Sequence, residues 1–186
     1  MQGKNKLLED VDGEPMIQRV IHAALESKVD EVIVVLGWEA DRIRGALNGL
    51  PCNFVLNEEF EKGQSSSVKT GLKAVSGATR AILVLPGDVA NIDPKSINLV
   101  IEEYEKNRES IVVAGHGGEA GHPILFDKSL FHEIEQINEE TYGLKSVVRR
   151  HEKEVGFVEA HTSKVLRDID TPDDLQELRN AGRRAE

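Results

Sequence analysis

The chain has 186 residues, 39% apolar and 30% charged, which is the size and composition of one globular domain over residues 1–186. Its formal net charge is −10 with no basic stripe, which argues against a nucleic-acid binder, and no apolar run approaches the ~20 residues of a membrane span. The single cysteine excludes an internal disulfide and a cysteine-based zinc site, and predicts a reducing, cytoplasmic location.

Short apolar runs alternate with helical patterns along the whole chain. The predicted strands are 31–36, 52–56, 80–85, 110–114, 121–126 and 155–160. The predicted helices are 15–28, 39–47, 65–75, 94–106, 128–136, 143–151 and a last one that opens at 171–174. The strand runs lack polar alternation, which is typical of strands buried on both faces of a mostly parallel sheet. The alternation therefore predicts a doubly wound α/β fold with right-handed crossovers.

Local signals refine these elements. Pro15 suits the first position of the first helix, and Asp93 is predicted to cap the helix at 94–106. The glycine-rich stretch 115–121 is predicted to be a loop.

The strongest candidate for chemistry is Asp88, which follows the strand 80–85 in the sequence Pro86-Gly87-Asp88. Ligands of open α/β sheets bind at the carboxyl ends of the strands, and a carboxylate there suits a hard cation such as Mg²⁺. Position alone supports equally well the alternative that Asp88 or Asp93 only caps the next helix.

A second acidic pair is Asp168 and Asp170, whose side chains share a face if the backbone is extended. We predict Asp168 as the ligand candidate, and we favour a helix-capping role for Asp170.

Two further features are ambiguous by themselves. The sequence from Gly63 to Ser67 opens a helix, which suits an anion or a polar base, although simple capping explains it as well. His122 is a lone histidine, and such residues are more often structural than catalytic. No nucleophile-elbow or P-loop motif is present.

Taken in order, several motifs resemble the molybdenum cofactor nucleotidyltransferases, and most of all their cytidylyltransferase branch. The resemblance covers nearly the whole chain, and it is the order and spacing of the fragments that make it specific. The fragments are Gly3-Lys4-Asn5-Lys6-Leu7-Leu8, Gly13-Glu14-Pro15-Met16, Ser65-Ser66-Ser67-Val68-Lys69-Thr70-Gly71-Leu72, Leu85-Pro86-Gly87-Asp88, Gly121-His122-Pro123-Ile124-Leu125-Phe126 and Asp168-Ile169-Asp170-Thr171-Pro172-Asp173-Asp174-Leu175.

This resemblance implies a three-layer, Rossmann-like α/β/α fold of the nucleotide-diphospho-sugar transferase (GT-A-like) type. It also implies roles for individual residues. Asp88 and Asp168 would hold Mg²⁺, with Mn²⁺ as an alternative, and Lys6 would neutralise the triphosphate. The nucleotide would further contact Gly63, Ser66, Ser67, Pro86 and Gly87, and His122 would lie on the acceptor side.

The implied reaction transfers CMP from CTP to a phosphorylated acceptor, molybdopterin, and releases pyrophosphate. One alternative keeps the fold but uses GTP, or a sugar phosphate or phospholactate as the acceptor. A second alternative is a non-catalytic nucleotide-binding module. The sequence does not fix the oligomeric state, and a homodimer is one of the assemblies compatible with it.

The chain also departs from the family pattern. At Met1 the family signature, roughly L-A-A-G-x-S-x-R-M-G-x-x-K-L-L, is already ending. We therefore expect the natural protein to begin upstream, with a first strand and a glycine-rich loop. For the 186 residues alone we expect little activity and an open groove beside the strand that leads to Asp88, or a partner chain filling it. Ala90 stands where the family has proline, and 140–143 replaces G-D-x-G.

Overall fold

The computed structural model describes residues 5–182, without the side chains of Pro172 and residues 180–182. Gly3 and Lys4 of the first family-like fragment lie outside the described residues. The strands are β1 Asp10–Val11, β2 Glu14–Pro15, β3 Ile33–Leu36, β4 Asn53–Leu56, β5 Ala81–Val84, β6 Ile111–His116, β7 Glu119–Asp127 and β8 Val155–Glu159. The α-helices are α1 Met16–Leu25, α2 Ala40–Ala46, α3 Gln64–Ala74, α4 Pro94–Asn107, α5 Phe131–Ile134, α6 Leu144–Arg150 and α7 Pro172–Gly182.

The strands form three separate hydrogen-bonded sheets, one of which is the β1–β2 hairpin. Strands β3 and β4 pair in parallel, and a four-stranded sheet has the order β5-β7-β6-β8. Strand β7 runs antiparallel to both of its neighbours, whereas β8 is parallel to β6. The predicted α/β class is confirmed, and the sheet is mixed because β6 and β7 form a hairpin. Within residues 5–182, β3 and β5 each pair along one edge only.

Helices cover both faces of the four-stranded sheet, as the three-layer prediction requires. Val112 and Leu125, which are register partners, face a core shared with α1, α4 and α7. Their neighbours Ile111 and Phe126 face the opposite core, against α3, α5 and α6. The alternation follows from the period of two along each strand, and each such fully buried side chain contributes about 1.5–3 kcal/mol.

Three local predictions need correction. Pro15 is not the first residue of α1 but precedes it in an extended conformation, paired with Asp10 in the short β1–β2 hairpin. The predicted loop 115–121 is mostly strand, because β6 continues to His116 and β7 begins at Glu119. Only Gly117 and Gly118, both at positive φ, form the turn, and glycine adopts this conformation without strain.

The architecture gathers several loop ends at one edge of the sheet. Strand β5 ends there, and the pairing with β7 begins there because β7 is antiparallel to β5. The pairing of β5 with β7 ends at Val84 and Ile124, so Pro86 lies two residues after this last pair and His122 two residues before it. Within residues 5–182, no helix combines the length and the apolar character needed to cross a membrane.

Candidate active site

Asp88 lies in a tight turn just after β5. The turn is closed by a hydrogen bond from Val89 N to Pro86 O at 3.3 Å. A Cβ on Gly87 would lie 3.0 Å from Ile17 Cδ1, so glycine lets this turn pack closely against α1. Asp88 keeps one quarter of its side chain exposed at the carboxyl edge of the sheet.

Asp93, and not Asp88, is the cap of the helix that follows the Asp88 turn. Its carboxylate accepts a hydrogen bond from Ser96 N at 2.8 Å and caps α4, as predicted. Asp88 is not needed for the cap, and its carboxylate instead contacts Lys6.

Lys6 bridges two acidic side chains that are distant in sequence. Its Nζ lies 2.8 Å from Asp88 Oδ2 and 2.6 Å from Asp170 Oδ1. Burial lowers the pKa of Lys6, but the hydrogen bonds and charges of Asp170 and Asp88 outweigh this effect and raise the pKa above its usual value. An ammonium group has three donors, and the described residues use two of them at Lys6, which leaves one for an anionic ligand.

The segment that carries Asp168 is fastened to the Asp88 turn. Ile169 N donates to Asp88 O at 3.0 Å. The preceding turn packs on Gly121, where an added Cβ would lie only 2.2 Å from Val165 O. Asp168 is exposed as a residue, but partial desolvation of its carboxyl group and the negative charge of Asp88 raise its pKa.

The predicted capping role of Asp170 is wrong. Thr171 caps α7 through a reciprocal box, in which Asp174 N donates to Thr171 Oγ1 at 3.1 Å and Asp174 Oδ2 accepts from Thr171 N at 2.7 Å. The Asp170 carboxylate is therefore free to pair with Lys6. A threonine that precedes proline and two acids is a strong capping signal. Thr171 has this position, and it caps α7 in place of Asp170.

His122 lies half-buried beside the acidic pair. Its Nδ1 is buried, and no hydrogen-bond partner for it lies in the described part of the chain. Burial lowers the pKa of His122, the charges of Asp168 and Asp88 partly oppose this, and Lys145 adds to the lowering. The structure thus brings His122 together with Asp88, Asp168 and Lys6.

A second part of the edge is the start of α3, where Gly63 has φ +92°. Asn57, which directly follows β4, donates to Ser66 Oγ at 2.8 Å and to Ser67 Oγ at 3.0 Å. The Ser66 hydroxyl also lies 2.8 Å from Gly63 O, so it is engaged as donor and acceptor within the fold. Within the described part of the chain the Ser67 hydroxyl donates to no acceptor, so its proton can serve a ligand.

Asn57 was missed in the sequence. The strand-end reasoning that selected Asp88 applies equally to Asn57, which lies one residue beyond β4. Buried to 97%, it links the strand end to the serines of α3.

The fit to a divalent cation rests on Asp88 and Asp168. Among the described residues, no three histidine, cysteine, aspartate or glutamate side chains are grouped as a metal-ligand set. Two neighbouring carboxylates that repel each other nevertheless fit a hard cation whose remaining ligands are phosphate oxygens and water.

Fold and site together define an α/β domain that presents two carboxylates, a lysine and a serine-bearing helix start at one sheet edge. A family model described as the MobA-like NTP transferase domain matches residues 1–155. The chain belongs to this family.

Among curated relatives, the bifunctional protein GlmU of Desulfotalea psychrophila is 28% identical over 108 residues, which are 58% of this chain and 32% of that protein. The chain thus spans about a third of this relative's length.

Two solved structures share the fold. Rv0371c of Mycobacterium tuberculosis, solved in complex with manganese, aligns with TM-score 0.81 and 21% identity over 96% of this chain and 93% of the other. The CMP:2-keto-3-deoxy-manno-octonic acid synthetase complexed with CTP aligns with TM-score 0.80 and 14% identity over 97% and 92%. The predicted nucleotide-diphospho-sugar transferase fold is confirmed.

Proposed function

We propose that this protein transfers CMP from CTP to a phosphorylated acceptor, molybdopterin, and releases pyrophosphate. Lys6 carries this proposal, because its ammonium group lies between Asp88 and Asp170 at the carboxyl edge of β5. A cation held between two acids, with one donor left over, suits a triphosphate that arrives with a divalent metal. Family membership and the likeness to a synthetase bound to CTP support nucleotidyl transfer.

The reaction needs positioning and charge neutralisation rather than a covalent intermediate. An oxygen of the acceptor phosphate attacks the α-phosphorus of CTP and forms a new oxygen–phosphorus bond. The bond from the α-phosphorus to the bridging oxygen breaks, and pyrophosphate leaves with the electron pair. No group is oxidised or reduced.

Each residue of the proposed site has a role that follows from its position. Lys6 neutralises the triphosphate, and the Pro86-Gly87 turn lets the backbone approach the nucleotide. Ser67 and Gly63, supported by Ser66, line the base pocket.

His122, beside the acidic pair, faces the acceptor. Asp88 and Asp168 would hold Mg²⁺, with Mn²⁺ as a substitute, and the metal would offset negative charge on the phosphates. The single, free cysteine, Cys52, supports a cytoplasmic setting.

A second candidate is transfer from CTP to a sugar acid. The fold likeness to the octonic acid synthetase favours it. The two candidates share the nucleotide site and differ only at the acceptor, so acceptor specificity separates them.

The test is a panel on the protein as its native gene encodes it, read by pyrophosphate release. The panel combines CTP, GTP, UTP and ATP with Mg²⁺ or Mn²⁺, and offers molybdopterin, a sugar phosphate, phospholactate and a sugar acid as acceptors. We expect turnover with CTP and molybdopterin. Turnover with another pair would reassign the substrates, and nucleotide binding by calorimetry without any turnover would replace the enzyme by a binding module.

A further inference from the structure

The loop that leads into α6 is anchored on the start of α3. Glu139 Oε1 accepts a hydrogen bond from Ser65 N at 2.6 Å, across 74 residues of sequence. Further along the loop, a Cβ on Gly143 would lie 2.8 Å from Ser65 Oγ. Because α6 begins at Leu144, its first turn lies at the edge of the sheet where α3 starts.

Lys145, in this first turn, lies near His122 and the acidic pair. Burial is the main cause of the lowered pKa of His122, and the positive charge of Lys145 adds to the lowering. The carboxylates of Asp168 and Asp88 oppose it, so the lysine and the acidic pair act on the same imidazole ring. The first turn of α6 therefore brings a cation to the part of the site that contains His122.

The fold leaves Lys145 without an acidic partner. Its side chain is exposed and makes no hydrogen bond or ion pair within the described part of the chain. Arg149, one helical turn further on the same face, has no acidic partner there either, and its Cζ lies 5.3 Å from the centre of the Tyr142 ring. Arg150, by contrast, pairs with Glu133. Although the chain carries a net charge of −10, this face of α6 is open to an anion.

The helix itself does not explain a lysine at this position. A positive charge in the first turn meets the positive end of the helix dipole, which is unfavourable. The first turn of α6 contains no acidic residue, and no side chain caps its start. Lys145 and Arg149 are also four residues apart and repel each other. A residue that destabilises its own helix and gains no contact in the described fold is explained by a ligand.

We propose that Lys145 binds the phosphate group of the acceptor and holds it beside His122. The inference rests on the proposed function, which places the acceptor at His122 and makes its phosphate the attacking group. The acceptor phosphate and the triphosphate repel each other as they approach, and a cation on the acceptor side offsets this repulsion. Lys6 is already held by two carboxylates, whereas all three donors of Lys145 can serve the acceptor phosphate.

Inorganic phosphate is the probe for the first test, because it carries the charge of the acceptor group without the rest of the molecule. NMR titrations of the native protein in a phosphate-free buffer follow the amide resonances of residues 143–146. We expect Lys145→Met to raise the dissociation constant at least about tenfold, since charge-assisted hydrogen bonds are lost. Lys145→Arg keeps the charge and should retain most of the affinity.

Lys153→Met is the matched control. Lys153 is an exposed lysine three residues beyond the other end of α6, and its side chain makes no hydrogen bond within the described residues. We expect this variant to keep the wild-type dissociation constant for phosphate. Circular dichroism checks the fold of each variant.

The second test measures pyrophosphate release at saturating CTP with molybdopterin as the varied acceptor. We expect Lys145→Met to raise the KM for the acceptor about tenfold, while the dissociation constant for CTP, measured by calorimetry, stays unchanged. A purely structural role would weaken CTP binding as well, because the loop before α6 is anchored on the start of α3.

The outcomes separate this inference from the proposed function. Resonances that do not shift with phosphate, or shifts that survive Lys145→Met, would reject the role of Lys145 even where CTP binds and turns over. Absence of turnover with every phosphorylated acceptor would reject the proposed function and the identity of the anion with it. The phosphate titration would then still decide whether Lys145 binds a phosphate.

Discussion

Lys6 Nζ and Asp88 Oδ2 lie 2.8 Å apart, although 82 residues separate them in the sequence. Each group is about one quarter exposed, so water screens the pair only in part. The contact places a cation beside the carboxylate that we propose as a metal ligand. Both groups meet the same triphosphate in the proposed reaction, which makes each of them separately testable.

Asp88→Ala removes the proposed metal ligand at the end of β5. We expect metal-dependent pyrophosphate release to fall by at least about 10²-fold, because charge stabilisation of the transferring phosphate is lost. Asp41→Ala, on the exposed face of α2, is the control and should keep the wild-type rate. A near-normal rate for Asp88→Ala, measured with circular dichroism showing an intact fold, would remove Asp88 from the reaction.

Lys6→Met tests the triphosphate contact. We expect the dissociation constant for CTP to rise by roughly tenfold or more, since the lost hydrogen bond is charge-assisted. Calorimetry measures this directly. Lys95→Met changes an exposed lysine in the first turn of α4 and should leave the affinity unchanged; equal affinities for both variants would place Lys6 outside the nucleotide site.

Thr171→Ala and Asp170→Ala test which of these two residues caps α7. Thr171→Ala removes the helix cap and should lower the free energy of unfolding by about 0.5–2 kcal/mol in urea titrations. Asp170→Ala should change that free energy by less than about 0.5 kcal/mol, because its ion pair with Lys6 is exposed. The opposite ranking of the two variants would restore Asp170 as the cap.

Tyr104→Phe tests a buried support of β7 and predicts a pH dependence. The Tyr104 hydroxyl donates to Asp127 Oδ2. Burial raises the pKa of Asp127, but the hydrogen bonds from Tyr104 and Ser129 outweigh it and hold the pKa below its usual 3.8. A lowered carboxyl pKa stabilises the fold above the unfolded value, and the effect is lost as pH falls through the folded value.

We therefore expect Tyr104→Phe to lower the free energy of unfolding by about 1–2 kcal/mol at pH 7. The difference from the wild type should shrink as the pH is taken below 3.8. Urea titrations at both pH values measure it, and a difference that does not change with pH would show that Asp127 gains no charge stabilisation from Tyr104.

Much of the fold is readable from the sequence because it depends on local patterns. The β-branched runs and helical spacing predicted the six longer strands and the helices to within a few residues. The carboxyl-end rule then led to Asp88. The hairpin turn at Gly117 and Gly118 was misread, because glycines beside a strand look like loop whether or not the strands continue past them.

The parts of the site that depend on contacts between segments distant in the sequence could not be predicted. The pairing of Asp170 with Lys6 spans 164 residues, and that of Glu139 with Ser65 spans 74. Neither pair shares a helix or a strand, so no periodicity links them. Asn57 is different, since its place just after β4 was open to the same reasoning as Asp88.

The hydrogen bond from Ile169 N to Asp88 O has a consequence for how the protein matures during synthesis. On the ribosome, β5 and the Asp88 turn emerge about eighty residues before the segment that closes over them. At the usual elongation rate of about 5–20 residues per second, this delay lasts several seconds. A nascent chain thus holds its acidic turn uncovered for that time, and the proposed nucleotide site becomes complete only after Ile169 has been translated.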